Sequence, residues 1–66
     1  MQVQINGETH EIDRGISVDK LLGDRKINPD TVVVEINGRI LNRQKNHTEI
    51  IPDEAAIEIV QFVGGG

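Results

Sequence analysis

Only one stretch of this sequence has helical spacing, and it lies among strand patterns. Val18, Leu21 and Leu22 stand at i, i+3 and i+4, which puts them on one face of a helix. Ser17 is placed to cap that helix, and Asp19 favours the dipole of its first turn. Lys20 stands where a capping box wants Glu, so that box is absent. Gly23 weakens the helix or ends it. Asn28-Pro29 sets its outer limit, because the residue before proline disfavours α geometry. The spacing predicts a helix of about two to three turns. One helix covers only one face of a sheet, so the expected class is α+β with two layers.

The strand patterns say how that sheet is cut. Val3 and Ile5 alternate with Gln2 and Gln4, the pattern of a half-buried strand. Asn6-Gly7 follows, and a type I′ turn needs positive φ at both central residues. Residues 8–12 read as the return strand. They are polar except for Ile12, which suits a sheet edge. Residues 31–36 form the strongest strand pattern. Val32, Val34 and Ile36 share one face, Val33 and Glu35 the other, and a β-branched run of this kind suits an interior strand. Asn37-Gly38 supplies a second turn, and Arg39-Ile40-Leu41 continues briefly. Residues 42–47 read as a polar connector, 48–51 as a short strand, and Pro52-Asp53-Glu54 as a turn. Residues 56–62 are the last strand, with Ile57 and Ile59 on one face and Glu58, Val60 and Phe62 on the other. This element order is similar to that of the β-grasp, or ubiquitin-like, fold. The analogy predicts a mixed sheet of four to five strands, its first and last strands parallel in the middle, with one main helix packed across one face.

Size narrows the function classes. A chain of 66 residues is one small domain, which leaves little room for an enclosed active-site cavity beside a core. It is therefore not expected to be an autonomous enzyme. There is no cysteine, which excludes disulfide staples and thiolate metal sites. No apolar run reaches the length of a membrane span, and a strand pattern from residue 2 onward is not a signal peptide, so the expected compartment is the cytoplasm. The net charge is −4 and the basic residues are scattered, so no face is basic enough for nucleic acid.

The remaining feature is the ending Val63-Gly64-Gly65-Gly66. The expected division is a folded domain over 1–63 and a flexible glycine tail over 64–66. Glycine has no Cβ, so such a tail can enter a slot too narrow for side chains. Its one reactive group is the α-carboxylate of Gly66. Val60, Phe62 and Val63 are expected to form an apolar docking patch beside the tail. A second reading of Phe62, the one aromatic residue, buries it in the core through a twist or bulge of the strand. Other groups read more plainly. His10 and His47 are far apart and have no ligand cluster, so they are expected on the solvated surface, with no metal bound. Asp53 and Glu54 beside Pro52 read as turn residues, and Gly7, Gly15, Gly23 and Gly38 are isolated rather than part of a phosphate loop.

Three segments together carry a family resemblance: Ser17-Val18 with Leu21-Leu22, then Val32-Val33-Val34-Glu35-Ile36-Asn37-Gly38, then Ile57-Glu58-Ile59-Val60-Gln61-Phe62-Val63-Gly64-Gly65-Gly66. Over its whole length the chain resembles the ThiS family of sulfur carrier proteins in thiamine biosynthesis. It departs from the family at Asp53-Glu54-Ala55, where Asp-Gly-Asp is common, and at Gln61, where many members carry histidine. The resemblance implies that a ThiF-type adenylyltransferase activates the Gly66 carboxylate with ATP and magnesium. A persulfide donor such as a cysteine desulfurase then supplies sulfur, and a ThiG-type thiazole synthase accepts it from the thiocarboxylate. Gly64 and Gly65 would thread into the partner enzymes. The carrier itself would hold no cofactor and no catalytic residue. A terminal Gly-Gly also fits the small subunit of molybdopterin synthase (MoaD) or a ubiquitin-like modifier. An interaction module with an inert tail is the reading from another class.

Overall fold

The computed structural model describes residues 1–41 and 48–61. In chain order its elements are β1 (Gln2–Ile5), β2 (Glu8–Glu11), α1 (Val18–Asp24), a 3-10 turn (Pro29–Thr31), β3 (Val32–Ile36), β4 (Arg39–Ile40) and β5 (Ala56–Gln61). The sheet runs β2-β1-β5-β3-β4. β1 and β5 are parallel at its centre, and every other pairing is antiparallel. This is the mixed, two-layer sheet expected from one helix. Polar β2 lies at one edge and β-branched β3 in the interior.

Local chemistry explains the turns and the helix start. Asn6-Gly7 and Asn37-Gly38 both have positive φ at each residue, 52° then 83°, as type I′ turns require. The Ser17 side chain accepts a hydrogen bond from the Lys20 amide and caps α1. Val18, Leu21 and Leu22 are buried in one cluster with Val3, Ile5, Val34, Ile36 and Ile57. Each fully buried side chain of this size contributes about 1.5–3 kcal/mol.

The fold departs from the sequence expectations at several places. Gly23 does not end α1 but lies within its last turn. The stop comes at Lys26, whose φ is 58°, with the Ile27 amide donating to the Leu22 carbonyl at 2.9 Å and the Lys26 amide to Gly23 at 3.0 Å. That pair of bonds is a Schellman cap with lysine where glycine is usual. Thr31 belongs to the 3-10 turn rather than to β3. Asn28 caps this turn, its side chain accepting from the Asp30 amide at 2.9 Å. Residues 48–51 do not form a strand. Ser17 and Ile50 make an isolated antiparallel bridge, with bonds from Val18 N to Glu49 O and from Ile51 N to Ile16 O. The reason is steric: the partner segment becomes a helix at Val18, so the ladder cannot extend. Pro52 on the other side has no N–H to offer. The polar connector expected over 42–47 lies outside the described residues.

The turn at Pro52-Asp53-Glu54 is present, and Glu54 takes a φ of 56°. A non-glycine residue thus takes a left-handed backbone at this turn. Ala55, which follows, is fully buried. Among the described residues no helix is long and apolar enough to cross a membrane.

Candidate functional site

β5 leads into the glycine tail, and the sheet holds it from both sides. On the β3 side the ladder is continuous from Ile36–Ile57 to Val32–Gln61. On the β1 side the pairing is short, Gln4–Ala56 and Ile5–Ile57, with bonds from Gln4 N to Ala55 O and from Asn6 N to Ile57 O at 2.9 Å. Two asparagine side chains add to these ladders. The Asn37 Oδ1 accepts from the Ala56 amide at 2.9 Å. The Asn6 carboxamide meets Ile59 twice, donating from Nδ2 to its carbonyl at 3.1 Å and accepting at Oδ1 from its amide at 2.8 Å.

Strand parity then divides β5 between core and surface. Ile57 is buried under α1 and Ile59 packs partly against the same cluster. Val60 points the other way and is 57% exposed. Directly opposite it stands Val33, 39% exposed. Glu58 is opposite Glu35, and Glu35 is in turn opposite Ile40, itself exposed. Residues paired across a ladder share a face, so Val33, Val60, Ile40, Glu35 and Glu58 all lie on the side of the sheet turned away from α1. Val60, where the docking patch is expected, thus has one exposed apolar neighbour directly across the ladder, Val33, while Ile40 lies on the same face one strand further out. The expectations for Phe62, Val63, Gly64, Gly65 and Gly66 fall outside the described residues.

Among the described residues the titratable groups do not form a catalytic constellation. Asp53 pairs with Arg14, and this hydrogen bond, then the carboxylate's charge, raises the guanidinium pKa further above its ordinary value. Asp53 is therefore the ion-pair partner of Arg14 on the exposed surface. Arg39 forms an ion pair with Glu49, and Lys20 with Asp24 at 2.7 Å. His10 is half-buried rather than fully solvated, its Nδ1 3.4 Å from Arg25 Nη2 and its Nε2 3.5 Å from Glu8. His47 lies outside the described residues. Among the described residues no group of three or more His, Asp or Glu side chains could hold a metal ion.

Reading the sequence missed the two asparagine bridges. Asn-Gly signals a turn, but it does not say where the amide points. That reading placed Val33 on the second face of its strand but did not set it opposite Val60, because register decides that.

The chain matches the model of the ThiS family over residues 3–66. It is 35% identical over 66 residues to the sulfur carrier protein ThiS of Bacillus subtilis, covering 97% of this chain and 98% of that protein. It is 32% identical to a thiazole synthase of Magnetococcus marinus, but there it spans only 20% of the relative's length. Among solved structures, the thiamine biosynthesis protein ThiS of Geobacter metallireducens superposes with a TM-score of 0.83 at 32% identity, covering both chains in full.

Proposed function

The chain belongs to the ThiS family, the sulfur carriers of thiamine biosynthesis, and from that membership we propose how it carries sulfur: on the carboxylate of Gly66. The protein is a carrier and not itself a catalyst. Residues 1–63 serve as the handle and 64–66 as the arm. The observation that supports this most directly is the extent of the family match, which runs through the whole glycine tail.

A free carboxylate is a poor electrophile. In the proposed cycle a ThiF-type enzyme, using ATP and magnesium, lets a Gly66 carboxylate oxygen attack the α-phosphorus, and pyrophosphate leaves. The terminal sulfur of a persulfide, such as one on a cysteine desulfurase, then attacks the acyl carbon, and AMP leaves. A thiol cleaves the resulting S–S bond, leaving the thiocarboxylate on Gly66. A thiazole synthase takes that sulfur, a partner suggested by the chain's likeness to proteins of that name. This chain supplies presentation only. Gly64 and Gly65 add no bulk along the partner's slot, and Val60, with Phe62 and Val63, docks the partners. Aligning ATP with the carboxylate falls to the activating enzyme, and such positioning can supply several kcal/mol. The proposed compartment is the cytoplasm.

The test is intact mass after incubation with ATP, magnesium, a ThiF-type enzyme and a persulfide donor. The expected result is the gain of a sulfur-for-oxygen exchange, absent when Gly66 is deleted. An unchanged mass with an enzyme that charges the Bacillus carrier would overturn the reading.

A further inference from the structure

We propose that Asn6 is a positioning residue for the reaction at the tail, because its side chain continues the sheet where β1 stops. The inference rests on the function proposed above. β1 turns away at Asn6-Gly7, while β5 runs on to Gln61. Past Ile57, β5 keeps its ladder to β3 but has no further backbone pairing with β1 among the described residues. The Ile59 N–H and C=O face the edge that β1 has vacated. The Asn6 carboxamide meets both, at 2.8 and 3.1 Å. A planar amide that presents one N–H and its C=O to Ile59 reproduces the peptide group of a longer β1. Its orientation is set by this pairing, because exchanging O and N would set donor against donor. The same residue also takes the left-handed φ of the turn, which asparagine tolerates better than most residues.

Asn37 provides an internal comparison. It has the same φ, is followed by the same glycine geometry, and also bonds β5 through its side chain, but at Ala56, the end remote from the tail. Loss of either bridge removes side-chain hydrogen bonding to one strand. Only loss of the Asn6 bridge frees the end from which the tail departs. A looser exit means more freedom to freeze when the tail enters a partner's slot. That loss falls on binding, and so on KM, rather than on the step that follows correct seating.

The experiment compares Asn6→Asp, Asn6→Gly and Asn37→Asp in ATP–pyrophosphate exchange with a ThiF-type enzyme. Amide hydrogen exchange is followed in parallel. Aspartate keeps the shape and the turn but sets a carboxylate oxygen against the Ile59 carbonyl. Glycine keeps the turn and removes the amide. Both Asn6 variants are expected to speed exchange at the Ile59 amide about five- to tenfold and to raise KM by a similar factor, with kcat within about twofold. Asn37→Asp should leave KM within about twofold, whatever its effect on global stability. Equal KM changes at both asparagines, or faster Ile59 exchange with unchanged KM, would overturn the inference while leaving the carrier function intact. Failure of the unaltered chain to support any exchange would overturn the proposed function, and this inference with it.

Discussion

Glu35 and Glu58 stand directly opposite each other on the adjacent antiparallel strands β3 and β5, on the face turned away from α1. Like charges in that position repel, and the next pair on the same face toward the tail is apolar, Val33 with Val60. The outer face is thus built of matched pairs, one acidic and one apolar.

Glu58→Lys should convert the repulsion into attraction and stabilise the domain by about 0.5–1 kcal/mol. Urea unfolding measures this as a higher midpoint at unchanged slope. A lower midpoint would mean that the two carboxylates do not oppose each other in solution.

Lys26 and Glu54 both hold left-handed backbone without being glycine. Both are exposed, and neither Lys26→Gly nor Glu54→Gly removes a buried side chain. Each substitution should therefore stabilise the domain by about 0.5–1 kcal/mol, relief of the Cβ clash outweighing the extra freedom of the unfolded glycine. Separate denaturation curves for each variant, and for the double variant, check both the size and the additivity expected of distant sites.

Ile57 is 1% exposed in the middle of the core. Ile57→Ala should cost about 2–5 kcal/mol through lost burial and the cavity left behind. A core this small rarely supplies more than about 3–5 kcal/mol in all. Far-ultraviolet circular dichroism at 25 °C should accordingly show a large unfolded fraction, and a fully cooperative native-like melt would contradict the core assignment.

Val60 sits three residues further along the same strand but faces solvent. Val60→Asp should shift stability by no more than about 0.5–1 kcal/mol. If Val60 docks the activating enzyme as proposed, the substitution should also raise KM about tenfold or more, because a charge would replace an apolar contact at that interface. A KM equal to that of the unaltered chain would remove Val60 from the docking surface.

Much of this molecule was legible from residues acting on their near neighbours. The Ser17 cap, the Val18–Leu21–Leu22 stripe, both Asn-Gly turns and the alternation of β1, β3 and β5 depend on interactions within a few residues, and each is present as expected. The family match confirms the reading of the chain as a sulfur carrier. Three features needed the folded chain. Residues 48–51 have strand composition, yet their partner becomes helical at Val18. Lys26 and Glu54 take positions that propensity assigns to glycine, and at Lys26 the helix-ending bonds outweigh a local preference of about 1–2 kcal/mol.

The third feature is the support of β5, and here the division has a clear cause. Periodicity and turn chemistry are short-range, so the sequence by itself determined the helix, the turns and the buried faces of the main strands. Register and side-chain bridges join residues distant in the chain. Asn6 and Ile59 are 53 positions apart, and nothing local to either specifies the other. Only the tertiary structure, by ending β1 before β5 ends, decided that an asparagine amide would brace the strand that carries the tail.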